Sequence, residues 1–372
     1  MPVFTLRPAS PDDNDALLDL CRIPVSGAVQ LALEREPDYF AGAAVQAEEP
    51  EIYVAIHSSG RLAGMFNVGY RTVFLDRQPT RLRYFCDLRI HPDFQRSRLL
   101  FEMMHFCRTN GIINDEELAQ TVIFSDNLPM LAHLDLSKRK NTTRRLAPLY
   151  QLIGEYHTYL VKLPAKIRSK PTENWEIRRA TTADLTAMQR YLDSEGRCYQ
   201  GFPCYNFNKL AETNYYRNLA IGDFYLAFEK DELVGIAGIW DQKAFKQTRI
   251  TGYDHLLTFM RPIVNAFAGA AGSFSLPEVG KVLSYFSLHT ILIKEENPQI
   301  LLALLGEISS DAAGKDFDYF LCGLRGDSPL TKACLSFKTT RLIKGNYYLV
   351  SGNHDLPAKY LALPFYLEGA RI

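Results

Sequence analysis

The stretch YFCDLRIHPDFQRSRLLFEMMHFCRTNG, residues 84–111, decides how the rest of the chain is read. It opens as an apolar strand, passes through His91-Pro92-Asp93 and a basic polar turn, and closes as an amphipathic helix. Leu99, Leu100, Met103, Met104 and Cys107 recur at helical spacing and predict the buried face of that helix. A strand–turn–helix leaves unpaired backbone N–H groups at the helix N-terminus, an end that binds anions such as pyrophosphate. Arg96 and Arg98 add positive charge to the turn.

Working outward, one pattern occurs twice. FTLRPASPDDNDALLDLC (4–21) is a short strand, an Arg, a Ser/Asp-rich turn and an amphipathic helix, and WEIRRATTADLTAMQRYLD (175–193) has the same grammar. Asp12, Asp13 and Asp184 stand where a helix N-terminus favours negative charge and side-chain caps. EIYVAIHSSGRLAGMFNVGY (51–70) and DFYLAFEKDELVGIAGIW (223–240) both read as β-hairpins. RYFCDLRIHP (83–92) parallels SYFSLHTILI (284–293), each an apolar strand led by Tyr-Phe. TVIFSDNLPMLAHLDL (121–136) parallels YFLCGLRGDSPLTKACLSF (319–337), a buried strand, a polar turn with Pro and a short helix. The expected fold class is α+β: two tandem units, each a mixed, mostly antiparallel twisted sheet with helices on both faces.

PAKIRSKPTENWE (164–176), with two prolines and no apolar periodicity, marks the join. The expected units are therefore 1–163 and 175–372, with 164–174 as linker. The second carries an insertion at 254–281, Ala/Gly-rich over 266–272. It reads as a helix over the sheet or the joint, or as a lid for a substrate or acyl chain. CYQGFPCYNFNK (198–209) reads as a pocket wall facing the first unit or as packing under a long loop.

Composition excludes several classes. With 372 residues, 47% hydrophobic and 12% aromatic, the chain has ample material for its cores, and disorder is not expected. The 42 basic and 42 acidic side chains cancel, which argues against a general nucleic-acid binder. No run of 18 apolar residues predicts a membrane span, and the N-terminus lacks the pattern of a signal peptide. The seven cysteines at 21, 86, 107, 198, 204, 322 and 334 form no CxxC pair, which suits reduced thiols in the cytoplasm. Cys198 and Cys204 lack the partners of a zinc set, so no metal is expected.

At 84–111 the sequence resembles motif A of the GNAT acyltransferase superfamily. Ile90, His91, Pro92, Asp93, Phe94 and Gln95 follow the family order of apolar strand, proline, aromatic and glutamine. Arg98 then stands where the motif has its first glycine, and Leu100 where it has Gly or Ala. In the family those small residues let backbone N–H groups approach the coenzyme A pyrophosphate, which a bulky side chain obstructs. Val122 to Ser125 resembles the family's next strand, and Asn127 matches its asparagine. The family's frequent tyrosine is missing; Leu134 occupies its place, with His133 beside it. Residues 147–163 resemble the closing hairpin, so the likeness covers most of 3–163. In the second copy, LIKEENPQILLALL (292–305) has neither glycine nor arginine in its turn, and Glu295 and Glu296 would repel a pyrophosphate. The resemblance there implies a decayed half that walls the substrate site.

The resemblance implies an acyl-coenzyme A-dependent N-acyltransferase. Its donor is acetyl-coenzyme A or another acyl-coenzyme A, and its acceptor the amine of a small molecule or peptide, with direct transfer and no metal. Leu88, Arg89 and Ile90 would hold the thioester carbonyl through their backbone. Gln95, Arg96, Ser97, Arg98, Leu99 and Leu100 would form the pyrophosphate turn, with Asn127 on the pantetheine arm. The run SKRKNTTRRL (137–146) reads as a solvated loop or a contact to the 3′-phosphate. Asp87, the carboxylate within the strand, is a candidate base with a raised pKa, or else the partner of Arg83 or Arg89. Tyr84 stands in the place of the family's frequent glutamate, or is core. His133 is a candidate acid, or a surface residue. His289 reads as a buried, hydrogen-bonded histidine or as one facing a shared cleft. Two other functions fit the same residues: a catalytically silent module binding a ligand or protein, and an acyltransferase fed by an acyl-carrier protein or a long-chain donor.

Overall fold

The same local chemistry opens both halves. Arg7 grips Asp13 through paired hydrogen bonds of 2.7 and 2.8 Å, and Asp13 accepts the Ser10 N–H at 2.7 Å. Arg178 grips Asp184 at 2.8 and 2.7 Å, and Asp184 accepts the Thr181 N–H at 2.8 Å. Each bidentate pair pins a strand to the start of the helix that follows. The computed structural model describes residues 3–25, 29–114, 117–134, 148–163, 175–255, 257–261, 265, 275–352 and 356–372. The linker 164–174, the basic run 137–146 and much of the insertion 254–281 lie outside the described residues.

From the N-terminus the elements are β1 (Phe4–Pro8), α1 (Asn14–Arg22), β2 (Val29–Glu34), α2 (Tyr39–Gln46), β3 (Glu48–His57), β4 (Leu62–Leu75) and β5 (Gln78–Ile90). Next come α3 (Leu99–Thr109), β6 (Ala119–Phe124), α4 (Leu128–Leu134) and β7 (Leu149–Lys162). The second half has β8 (Glu176–Arg179), α5 (Leu185–Glu195), β9 (Phe224–Glu229), β10 (Glu232–Trp240) and β11 (Gln247–Tyr253). It ends with β12 (Tyr285–Ile293), α6 (Pro298–Asp311), β13 (Tyr319–Arg325), α7 (Thr331–Leu335) and β14 (Thr340–Ser351).

Twelve strands form one sheet in the order β1-β3-β4-β5-β6-β14-β7-β13-β12-β10-β9-β8. Read from either end, it meets the same succession of elements. The neighbours are antiparallel except for β5 with β6 and β12 with β13, which are parallel. The closing strands change places: β14 pairs with β6, and β7 pairs with β13. Where a hairpin is expected over 147–163, the described residues supply one long strand, β7, bound between β14 and the second half's β13. A two-stranded sheet of β2 and β11 adds a second joint, and Arg249 grips Glu34 across it at 2.7 and 2.9 Å.

Strand alternation sorts the core into two faces. In the first half Ile52, Val54 and Met65 pack with Leu17, Leu18 and Tyr39 of α1 and α2. Their neighbours Tyr53, Ala55, Phe66 and Val68 pack with Leu99, Met103 and Cys107 of α3 on the opposite face. In the second half Leu226, Leu233 and Ile236 pack with Met188 and Leu192 of α5, while Ala227, Val234 and Ala237 pack with α6. The aromatic stretch 198–209 runs along the end of β4, with Phe74 N–H donating to the Phe202 carbonyl at 2.8 Å. Phe202, Tyr205 and Phe207 are buried there as ordinary packing.

Candidate active site

A break in strand register builds the site. Met65 pairs with Arg89 and Asn67 with Cys86, so β5 carries one extra residue at Asp87–Leu88, and Asp87 takes φ +49°. β5 and β6 pair only from Arg83 to Phe85 against Ala119 to Thr121, then separate. The wedge between them opens into a cleft of about 430 Å3, lined by Cys86 to Ile90 on β5 and Thr121 to Phe124 on β6. Leu100, Met103, Met104 and Cys107 of α3 form one wall. Leu20, Ile23, Pro24, Val25 and Leu33, at the end of α1 and on β2, form another.

A charged cluster lies behind the bulge. The Asp87 carboxylate accepts from Arg35 at 3.4 Å and from the Tyr39 hydroxyl at 3.3 Å. With its amide nitrogen turned to the carboxylate, Gln46 donates to Asp87 at 2.9 Å. Burial pushes the Asp87 carboxyl up, but Arg35, Arg89 and Lys246 together with the Tyr39 hydroxyl hold it below the ordinary range. That corrects the expected raised value: the carboxylate is ionised through neutral pH. Its ion-pair partner is Arg35, 52 residues away in sequence. Arg89 instead donates to the carbonyls of Cys21 at 3.4 Å and Leu33 at 3.2 Å, fixing the bulge to α1 and β2.

Lys246 joins this cluster from the second half, where its Nζ donates to carbonyl oxygens of Ile372 at 2.7 Å and Ala370 at 3.3 Å. Burial and the nearby Arg35 and Arg71 bring its pKa down to about 7, against the opposing pull of Asp87. Arg35, Tyr39, Gln46 and Lys246 were not singled out in the sequence. The β-hairpin and motif pattern gave no reason to pick them, because a single buried arginine or lysine has no spacing signature.

Other expected site residues divide by position. Leu88, Arg89, Ile90, Gln95, Leu100 and Asn127 line the cleft. Arg96, Ser97 and Arg98 are exposed in the turn before α3, where the Ser97 hydroxyl accepts the Leu99 N–H at 3.1 Å. The Leu99 side chain is fully buried in the core beside Gly64, so only its backbone belongs to the turn. Asn127 caps α4 by accepting the Met130 N–H at 3.2 Å. Tyr84 is buried away from the cleft, with the Arg71 guanidinium 3.4 Å above its ring. Burial drives its hydroxyl pKa well up, which leaves it a neutral core group. His133 falls on α4, and its side chain lies outside the described residues.

The second half contains the same device in another state. Ile236 pairs with Leu292 and Gly238 with His289, so β12 bulges at Thr290, which takes φ +51°. The bulges match Asp87 with Thr290, placing the Tyr-Phe pairs of the two strands two positions out of step. β12 and β13 also separate beyond a short parallel stretch. Here the space is filled by residues 364–372. Glu368 accepts the Thr290 N–H at 2.8 Å, and the Tyr366 hydroxyl accepts the Ile291 N–H at 3.0 Å. In the turn before α6, Glu296 is gripped by Arg325 at 3.0 Å rather than left open to an anion. His289 is buried against Phe224 and Trp240, bonded to the Thr290 hydroxyl at 2.8 Å, and burial lowers its pKa to about 3.

Among the described residues, no cluster of three or more His, Cys, Asp or Glu could hold a metal ion, and no helix is long and apolar enough to cross a membrane. All seven cysteines are free thiols.

Solved structures show that the chain has the fold of the GNAT N-acyltransferases. It aligns over 96% of its length with 99% of a GCN5-related N-acetyltransferase from Sphaerobacter thermophilus, at TM-score 0.57 and 12% identity. It aligns over 94% of its length with 79% of the Saccharomyces cerevisiae N-myristoyltransferase solved with bound myristoyl-CoA, at TM-score 0.58 and 10% identity. A glucosamine N-acetyltransferase region of a fungal multi-domain β-N-acetylglucosaminidase gives TM-score 0.58 at 11% identity; the match covers 94% of this chain and 38% of that one. Neither a family model nor a curated protein sequence matches.

Proposed function

We propose that the chain is an acyl-coenzyme A-dependent N-acyltransferase that works from its first half. The observation that carries this reading is the pair of bulged wedges. In the second, N–H groups of Thr290 and Ile291 hold oxygens of Glu368 and Tyr366. The matching N–H groups in the first belong to Asp87 and Leu88, both on the cleft lining. A thioester carbonyl oxygen is the ligand they suit, and its negative charge grows in the transition state.

The coenzyme A pyrophosphate would lie over the 95–100 turn, held by the first N–H groups of α3 and by Arg96 and Arg98. Leu100 replaces a small residue there, so the pyrophosphate sits further out than a glycine turn would allow. The pantetheine arm would pass Asn127 into the wedge. The amine first gives one proton to solvent; its neutral nitrogen then attacks the carbonyl carbon, the C–N bond forms, the C–S bond breaks, and the second proton lost by the nitrogen ends on the departing thiolate. Asp87, ionised, neutralises Arg35 behind the bulge and so holds the backbone whose N–H groups face the carbonyl. Lys246 loses its charge near pH 7 and so tunes the cluster in the range where the amine must be deprotonated.

The test is calorimetric titration of the full chain with acyl-coenzyme A, from acetyl upward. Binding at one site per chain, weakened by Arg96→Glu with Arg98→Glu, is the expected result. An absence of binding for every chain length would overturn the reading and leave a silent ligand- or protein-binding module, or a carrier-protein donor.

A further inference from the structure

We infer that the acyl group carried by the donor is a hydrocarbon chain longer than acetyl. The inference rests on the acyltransferase reading of the same cleft. Its basis is the cleft's inner end. At the mouth the lining is polar or exposed: Gln95, Asn127 and Leu88, the last 42% exposed. Further in, the walls are Phe66, Met103, Cys107 and Val350, all buried, with Ile113 and Tyr150 beside them. The Thr121 hydroxyl on this wall already donates to the Phe85 carbonyl at 2.9 Å, so its proton is taken and only acceptor lone pairs remain for a ligand. An acetyl group would leave this apolar space empty, and a hydrocarbon chain would fill it at the ordinary gain of apolar burial.

The second half supplies the control. A Cβ on Gly64 would meet Met103 and Leu99, and one on Gly235 would meet Ile300 and Leu304. That superposes α3 on α6, with Leu99 on Ile300, Met103 on Leu304 and Cys107 on Ile308. On α6 the face is closed: Leu301, Leu304 and Leu305 are fully buried and Ile308 is 1% exposed. On α3 the residues equivalent to Leu301 and Leu305, namely Leu100 and Met104, line the cleft. The equivalent of Ile308 is the smaller Cys107. One helix of the pair is packed solid against its sheet, and the other leaves room for a chain.

The experiment extends the titration to coenzyme A esters of two, four, six and eight carbons, on wild type and on Cys107→Ile, the residue already found at the matching place on α6. Each methylene that enters the inner end is expected to tighten binding about fourfold, from ~0.8 kcal/mol of burial. Three to four buried methylenes make octanoyl about a hundredfold tighter than acetyl. Cys107→Ile is expected to lose most of that gain, leaving octanoyl within about tenfold of acetyl on the same variant. Binding of acetyl-coenzyme A with no gain along the series overturns the inference and leaves the acyltransferase reading intact, the inner end then belonging to another occupant such as an apolar acceptor. A gain that survives unchanged in a folded Cys107→Ile overturns the placement of the chain at the inner end, the observation on which the inference rests. Failure of every ester to bind removes both readings. If Cys107→Ile does not fold, the wild-type series decides alone.

Discussion

The two bulged wedges of this protein are one device with two fates. Both interrupt a strand with a single residue in the left-handed region, Asp87 in one and Thr290 in the other, and both part the next strand from it. In the second half the chain's own Tyr366 and Glu368 take the N–H groups so exposed, and a carboxylate–arginine pair closes the turn. In the first half the wedge is a cleft, and Asp87 at its bulge is held ionised by Arg35, Arg89 and Lys246. The comparison teaches that the bulge is not itself a catalytic feature. It is a socket, and the side chains around it decide whether a ligand or the protein fills it.

The sharpest way to break this comparison is to change the matched bulge residues one at a time. Asp87→Asn, which keeps the volume beside Arg35, should cut acyl-transfer turnover about a hundredfold or more. Thr290→Ala should leave turnover within about twofold. Equal losses from both, measured as acyl-coenzyme A consumption with an accepting amine, would show that the second wedge is also at work.

A second test weakens the segment 364–372 that fills the second wedge. Arg371 is fully buried, 3.4 Å above the Tyr215 ring, and donates to the carbonyls of Val45 at 2.6 Å and Tyr215 at 2.7 Å. Arg371→Met strands those carbonyls and should cost about 3 kcal/mol in denaturant unfolding. A cost under about 1 kcal/mol would mean that residues 364–372 do not hold the closed half together.

The third test is a pH series. Lys246 titrates at about 7 when folded, against 10.5 for an ordinary lysine. Between those values the unfolded chain binds more protons than the folded one. This group therefore makes stability rise with pH across that window, and its penalty is fully present below pH 7. Lys246→Met should gain most over wild type near pH 6 and least near pH 10. A gap that does not change with pH would remove Lys246 from the buried cluster.

The smallest effect is expected at the turn. Leu100→Ala should tighten coenzyme A binding about threefold by letting the pyrophosphate approach the helix end. No change would mean that Leu100 already lies clear of it.

Much of the fold was legible because it rests on local rules. The strand–Arg–turn–helix openings put Asp13 and Asp184 at the starts of their helices, though their grip on Arg7 and Arg178 was not read there, and the strand–turn–helix at 84–111 borders the cleft. What the sequence hid was long-range. That β7 and β14 exchange neighbours depends on pairing between strands nearly half the chain apart, and each would read the same in either place. Asp87 was visible as a charge inside an apolar strand, but its state depends on Arg35, Tyr39 and Lys246, which only the folded chain brings near. The Tyr-Phe likeness between the two strands misled by two positions, because side-chain similarity does not report where a bulge falls. Tyr84 stood at the family's position for a base, yet strand alternation points it under Arg71 rather than into the cleft.

The exchanged strands also set a timetable for synthesis. When the ribosome has finished β6 at Phe124, the neighbour that will cover its free edge, β14, does not begin until Thr340. At ~5–20 residues per second that edge waits on the order of ten seconds or longer. An uncovered strand edge beside an open apolar wedge is a template for the wrong partner. The first half completes its sheet only after nearly all of the second has been made.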